Sequence, residues 1–199
     1  MSWSGQAKLQ GLNGRRHSAL VLLTFDVSGG SGGPLSEKLP DKSKLEVMFR
    51  KGKKGKETVT TITHLVTGAI ELHRLAVLDF EELQKRKDEI TEDIVNATCS
   101  YDDGFHTEVM KGGWVAYFHY SFQVTPLFLA CEYKVWNSAL LLLNAGADPN
   151  KARRNEQRNN AHGQMCTPLR MAAYYGSKEV CRKLLACGAS QDIDTSGGL

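Results

Sequence analysis

Two clusters of cations are the first groups along the chain that could do chemistry. Arg50, Lys51, Lys53, Lys54 and Lys56 put five positive charges within seven residues, a density suited to holding phosphate, RNA or another anionic surface. The run Lys51-Gly52-Lys53-Lys54-Gly55-Lys56 separates two β-prone segments, so it would carry these charges on a hairpin tip. A solvated turn that blunts a sheet edge calls for the same residues. The second cluster, Arg153, Arg154 and Arg158, falls within six residues and offers planar forks that match carboxylates.

Nothing else in the chain reads as a reaction centre. The six histidines, His17, His64, His73, His106, His119 and His162, are scattered. None pairs with Cys or Glu at a metal-ligand spacing, the nearest being His162 with Cys166. The loop Gly29-Gly30-Ser31-Gly32-Gly33-Pro34 follows a β-prone segment but lacks the lysine and hydroxyl of a phosphate loop. No G-x-S-x-G elbow, H-E-x-x-H helix or Cys/His signature is present. Cys181 falls on the apolar stripe of a helical segment, where a thiol is inert core. The sequence therefore points to no catalytic residue, no metal and no cofactor.

Composition sets the bounds. At 199 residues, 41% hydrophobic and 24% charged, the chain is an ordinary globular one of one domain or two small ones. Its longest apolar stretch, Ala19 to Phe25, is far short of the roughly 20 residues a membrane-spanning helix needs. Arg15, Arg16 and His17 before that stretch imitate a signal peptide, but Asp26 cuts it short and no small-residue cleavage site follows. The five cysteines form an odd set without paired spacing, as in a reducing compartment, the cytoplasm or the nucleus. The Asn96-Ala97-Thr98 sequon would then be unused. Charge is segregated. Residues 1–60 carry eleven Lys/Arg against five Asp/Glu, residues 61–125 five against eleven, and residues 126–199 nine against six. Separate faces of opposite sign fit this pattern better than one uniform nucleic-acid surface.

The first 119 residues support a coarse division. Residues 1–40 read as a partly flexible segment with a Gly-rich linker and a strand at 18–27. Residues 41–119 read as a small α+β region, with strands at 45–50 and 58–63 and another at 114–120. Asp79 and Glu82 form a capping-box-like start. Phe80, Leu83, Ile90, Ile94 and Ala97 follow at helical spacing, which predicts an amphipathic helix over 80–97.

The remainder repeats itself. Thr125-Pro126-Leu127-Phe128-Leu129-Ala130-Cys131 recurs as Thr167-Pro168-Leu169-Arg170-Met171-Ala172-Ala173, and in each copy a glycine, Gly146 or Gly188, follows the threonine by 21 residues. Each threonine can cap a helix with proline at its first position. Small residues on that helix let a neighbour approach closely. A second, apolar helix follows and stops at the glycine, with Gly176 in the turn between the helices of the second copy.

This unit resembles the ankyrin repeat, which opens T-P-L-H-x-A. Phe128 and Arg170 replace the motif histidine, and the spacing of 42 residues between threonines carries nine extra, the polar stretch around 153–163. The resemblance implies an α+β N-terminal region followed by an α-helical ankyrin-repeat solenoid over about 120–199. It implies a non-enzymatic scaffold that binds another protein, with an acidic segment, through hairpin tips and first-helix ends: Glu132, Tyr133, Arg153, Arg154, Arg158, Arg170, Tyr174 and Tyr175. The alternative is an RNA- or phosphate-binding protein acting through the Arg50–Lys56 hairpin. Two repeats are too few to bury their own faces, so residues 1–120 are expected to cover the N-terminal one unless the array is longer.

Overall fold

The computed structural model describes residues 21–26, 33–39, 43–53, 56–106, 117–151, 154–155 and 167–191, with side chains described within 33–39, 66–100, 123–151 and 167–191. The chain runs β1 (Val21–Asp26), β2 (Ser43–Lys53), β3 (Lys56–Thr67), α1 (Glu71–Leu78), α2 (Phe80–Lys85), a 3-10 turn at Lys87–Glu89 and α3 (Glu92–Val95). It continues through β4 (Cys99–His106), β5 (Tyr117–Val124), α4 (Pro126–Glu132), α5 (Trp136–Asn144), β6 (Arg154–Asn155), α6 (Pro168–Tyr174) and α7 (Lys178–Ala186). The six strands form one antiparallel sheet whose neighbours follow chain order. The strands expected near 18–27, 45–50, 58–63 and 114–120 correspond to β1, β2, β3 and β5; residues 18–20, 27 and 114–116 are outside the described residues.

The two repeat copies form as their local chemistry dictates. Thr125 Oγ1 accepts the Phe128 N–H at 3.2 Å, and Thr167 Oγ1 accepts the Arg170 N–H at 3.1 Å, each with proline next in the chain. Gly146 and Gly188 end the second helices at φ 90° and 87°, a conformation open to glycine at no steric cost.

A third helix pair precedes them, and the repeat pattern in the sequence did not disclose it. The first helices α1, α4 and α6 pack side by side, as do the second helices α2, α5 and α7. Ile70 takes the capping place of Thr125, and Leu72, Leu75 and Ala76 of α1 are fully buried in one core with Leu127, Ala130 and Cys131 of α4. Loop to loop, the same hydrogen bond recurs. Asn96 Oδ1 accepts the Asp148 N–H at 2.8 Å, and Asn150 Oδ1 accepts the Ser190 N–H at 2.8 Å. This pair was masked in the sequence because the T-P-L opening is gone: Ile70-Glu71-Leu72 stands in its place.

The expected helix over 80–97 is instead three short pieces. Asp79 does cap it, its Oδ1 accepting the Glu82 N–H at 3.0 Å. But Gln84 to Glu89 offers no apolar residue, so the helix has no face to bury and ends. Arg86 then bridges to Glu89 and to the Gly33 carbonyl at 2.7 Å across the 3-10 turn.

Strands and helices also interleave across residue 120. β3 leads into α1, β5 leads into α4, and β6 lies in the excursion before α6. Val66, Cys99 and Val124, at the roots of β3, β4 and β5, pack against Phe128, Leu129 and Tyr133. The main core runs without a break from Leu35 through α1 and α4 to Leu184. Residues 120–199 excised from the chain should therefore melt well below the full protein, since the side of α4 that packs on α1 would face water. A cooperative melt of the excised segment at the temperature of the whole chain would contradict this.

Candidate functional site

The turns between the helices of the two repeat copies bring Lys134, Tyr174 and Tyr175 together. In the second copy the turn needs a left-handed residue, and Gly176 supplies it at φ 78°. In the first copy the matching position is Lys134, held at φ 61°, an uncommon state for a side chain with a Cβ. The Lys134 Nζ lies 4.2 Å from the centroid of the Tyr175 ring, a cation–π contact between successive turns. Partial burial holds its ammonium below the usual lysine range. Tyr174 stands edge-on to Tyr175, with centroids 5.0 Å apart and planes at 72°, and is 79% exposed. The result is a ladder of Lys134, Tyr175 and Tyr174.

Of the residues singled out in the sequence, Tyr174 and Arg170 are exposed on α6, Tyr175 is half-buried in the ladder, and Glu132 is half-buried at the end of α4. Tyr133 is a correction. It is only 7% exposed and packs with Val77, Cys99, Phe128 and Leu129, because the strand roots cover the first two helix pairs. Arg154 sits in β6, paired with Gln123 of β5, so part of the insertion is sheet. Arg153, Arg158 and the rest of that insertion lie outside the described residues. Sequence reasoning missed Lys134, although its alignment with Gly176 marks a left-handed position.

The basic residues lie on a hairpin as expected, but its strands extend further toward the tip than 45–50 and 58–63, with Lys51 opposite Thr58 and Lys53 opposite Lys56. Arg50 pairs with Val59 in the same ladder, and Lys54 lies outside the described residues. The Gly-rich loop before Gly33 and the His162–Cys166 pair also fall outside them.

Elsewhere the chemistry is muted. Burial pushes the Cys99 and Cys131 thiols up to about 12, which leaves both unreactive at neutral pH. A cleft of about 550 Å³ separates α2 from α5, with Phe80, Gln84 and Lys87 facing Asn137, Leu141 and Asn144. Among the described residues no group of three His, Cys, Asp or Glu could hold a metal ion, and no helix is long and apolar enough to cross a membrane.

A buried histidine completes the site's frame. His73, in α1, has the Ile70 N–H donating to its Nδ1 at 3.2 Å. The carbonyls of Val124 and Ala97 lie near the ring, but neither closes a well-directed hydrogen bond with Nε2. Burial dominates and lowers its pKa to about 4. Beside it, the Arg74 guanidinium grips the Glu71 carboxylate with both forks, the Nε–Oε2 contact being 2.8 Å. These bonds all lie within α1 and its N-terminal cap.

No curated protein and no solved structure matches the chain. Residues 164–196, which contain α6 and α7, match the family model of the ankyrin repeat, so this last helix pair is an ankyrin repeat.

Proposed function

We propose that the chain is a non-enzymatic protein-interaction module, a short ankyrin-type solenoid that presents its inter-helix turns to a partner protein. The observation that carries this reading is the equivalence of three stacked helix pairs. The same asparagine hydrogen bond recurs from loop to loop, and an exposed Tyr174 stands at one end. Rigid stacks of this kind act through surface complementarity rather than chemistry. The free thiols at Cys99, Cys131, Cys181 and Cys187 support a reducing compartment, cytoplasm or nucleus.

The partner in this reading carries an acidic segment. Arg153, Arg154 and Arg158 steer it from the insertion, Arg170 lies next to it on α6, and the tyrosines anchor it. Affinity capture with the full chain, followed by binding kinetics on the captured protein, tests the assignment. Replacing Arg153, Arg154 and Arg158 with Ala should slow association severalfold and flatten its salt dependence. Tyr174→Ala should mainly speed dissociation, by roughly tenfold. Unchanged kinetics in both variants would place the interface elsewhere. RNA binding that weakens steeply with salt and is lost when Lys51, Lys53, Lys54 and Lys56 become Ala would favour the anion-binding alternative.

A further inference from the structure

The two repeat copies present small and apolar residues at the same spacing, but among the described residues only the first copy is covered. In the first copy Cys131 and Ala139 are fully buried and Leu143 is 4% exposed, all beneath α6 and α7. Their counterparts 42 residues on are Ala173, Cys181 and Leu185. Ala173 is exposed, Cys181 is half-buried and Leu185 is 39% exposed. Among the described residues, the apolar floor on the outer side of the last pair is left open.

Its rim is positive. Lys178, Cys181, Arg182 and Leu185 recur at i, i+3, i+4 and i+7 along α7, one face of the helix. Arg170 and Tyr174 flank Ala173 on α6 in the same way. Over residues 167–190 four cations, Arg170, Lys178, Arg182 and Lys183, stand against the single acid Glu179. A second copy docking through this same face would set two cationic rims against each other, which costs like-charge repulsion.

We propose that this end face of the stack is a docking site for an acidic amphipathic helix of a partner protein, leucine-type residues on Leu185 and Ala173, carboxylates on Arg170, Lys178 and Arg182. The inference rests on the protein-interaction reading and shares Arg170 and Tyr174 with it, but adds Lys178, Arg182 and Leu185 of α7, which that reading does not use. A helix laid there would bury the floor as α6 and α7 bury the face of α4 and α5.

The full chain, used as bait against a displayed library of randomised helix-forming peptides, tests it. The expected binders are rich in Asp and Glu, with apolar residues at i, i+3 or i+4, and i+7. Binding of those peptides should fall at least tenfold in Leu185→Glu and in the double variant Lys178→Glu with Arg182→Glu. Those two cations are exposed, so the charge reversal should leave the melt unchanged and stays informative if Leu185→Glu folds poorly. Binders that are basic, or indifferent to both variants, overturn the end-face site. Acidic binders that depend on Arg153, Arg154 and Arg158 overturn it while sparing the broader reading. A library that enriches nothing overturns both, and concentration-dependent dimers abolished by Leu185→Glu would give the face to a second copy instead.

Discussion

Replacing Leu142 or Leu184 with Ala should lower the unfolding free energy by about 2–5 kcal/mol, enough to unfold a large fraction of a marginal domain. Both side chains are fully buried at equivalent positions of α5 and α7. Both belong to one continuous core, so either change leaves a cavity lined by packed side chains. The range reflects how far neighbours relax. Leu142 sits in the middle pair and is walled on both sides by helices, whereas Leu184 belongs to the pair whose outer face is open. Leu142→Ala should therefore be the costlier of the two. Equilibrium denaturant unfolding of the full chain decides the matter. A loss below about 1 kcal/mol at either site would mean that the helix is wrongly registered against its neighbours.

Acid should destabilise the protein through His73 in a defined window. Its folded pKa is lowered to about 4 while the unfolded chain keeps the usual imidazole value of 6.5. Between those values the unfolded state binds the extra proton, so stability rises with pH there. The contribution is fully present above pH 6.5 and is lost as pH falls toward about 4. Below that point both states are protonated and nothing further is lost from this group. The full effect is on the order of 3 kcal/mol. His73→Asn, which keeps an acceptor for the Ile70 N–H, should be less stable than the parent at pH 7. Its stability should fall less between pH 6.5 and 4. Parallel pH profiles for the two proteins would place the acid-sensitive group elsewhere. Carboxylates titrate in both proteins, so the difference between the profiles isolates the histidine.

The two matched helix pairs were legible because their signals are local. A threonine before a proline, an apolar run at helical spacing and a closing glycine each act within one turn of chain, and the structure builds from them the caps at Thr125 and Thr167 and the stops at Gly146 and Gly188. The hairpin of β2 and β3 was equally plain, since its alternation and its basic turn lie close together. What tertiary structure alone decided was long-range. The helix pair of α1 and α2 carries none of the threonine–proline opening; packing against α4 and the link from Asn96 to Asp148 reveal it.

Tyr133 and Tyr174 make the same point for the site. They sit one residue apart in their repeats, 133 against 132 in the aligned numbering of the first copy, yet one is buried by strand roots and the other stands in solvent. Sequence by itself determined which segments could be helices, where they start and stop, and which faces are apolar. Whether a given apolar or aromatic face is covered depends on strands distant in the chain: Val66, Cys99 and Val124 reach the first helices of the earlier pairs, while Ala173 and Leu185 of the last pair stay open. Local spacing encodes a face; only the assembled neighbours decide whether it is core or surface.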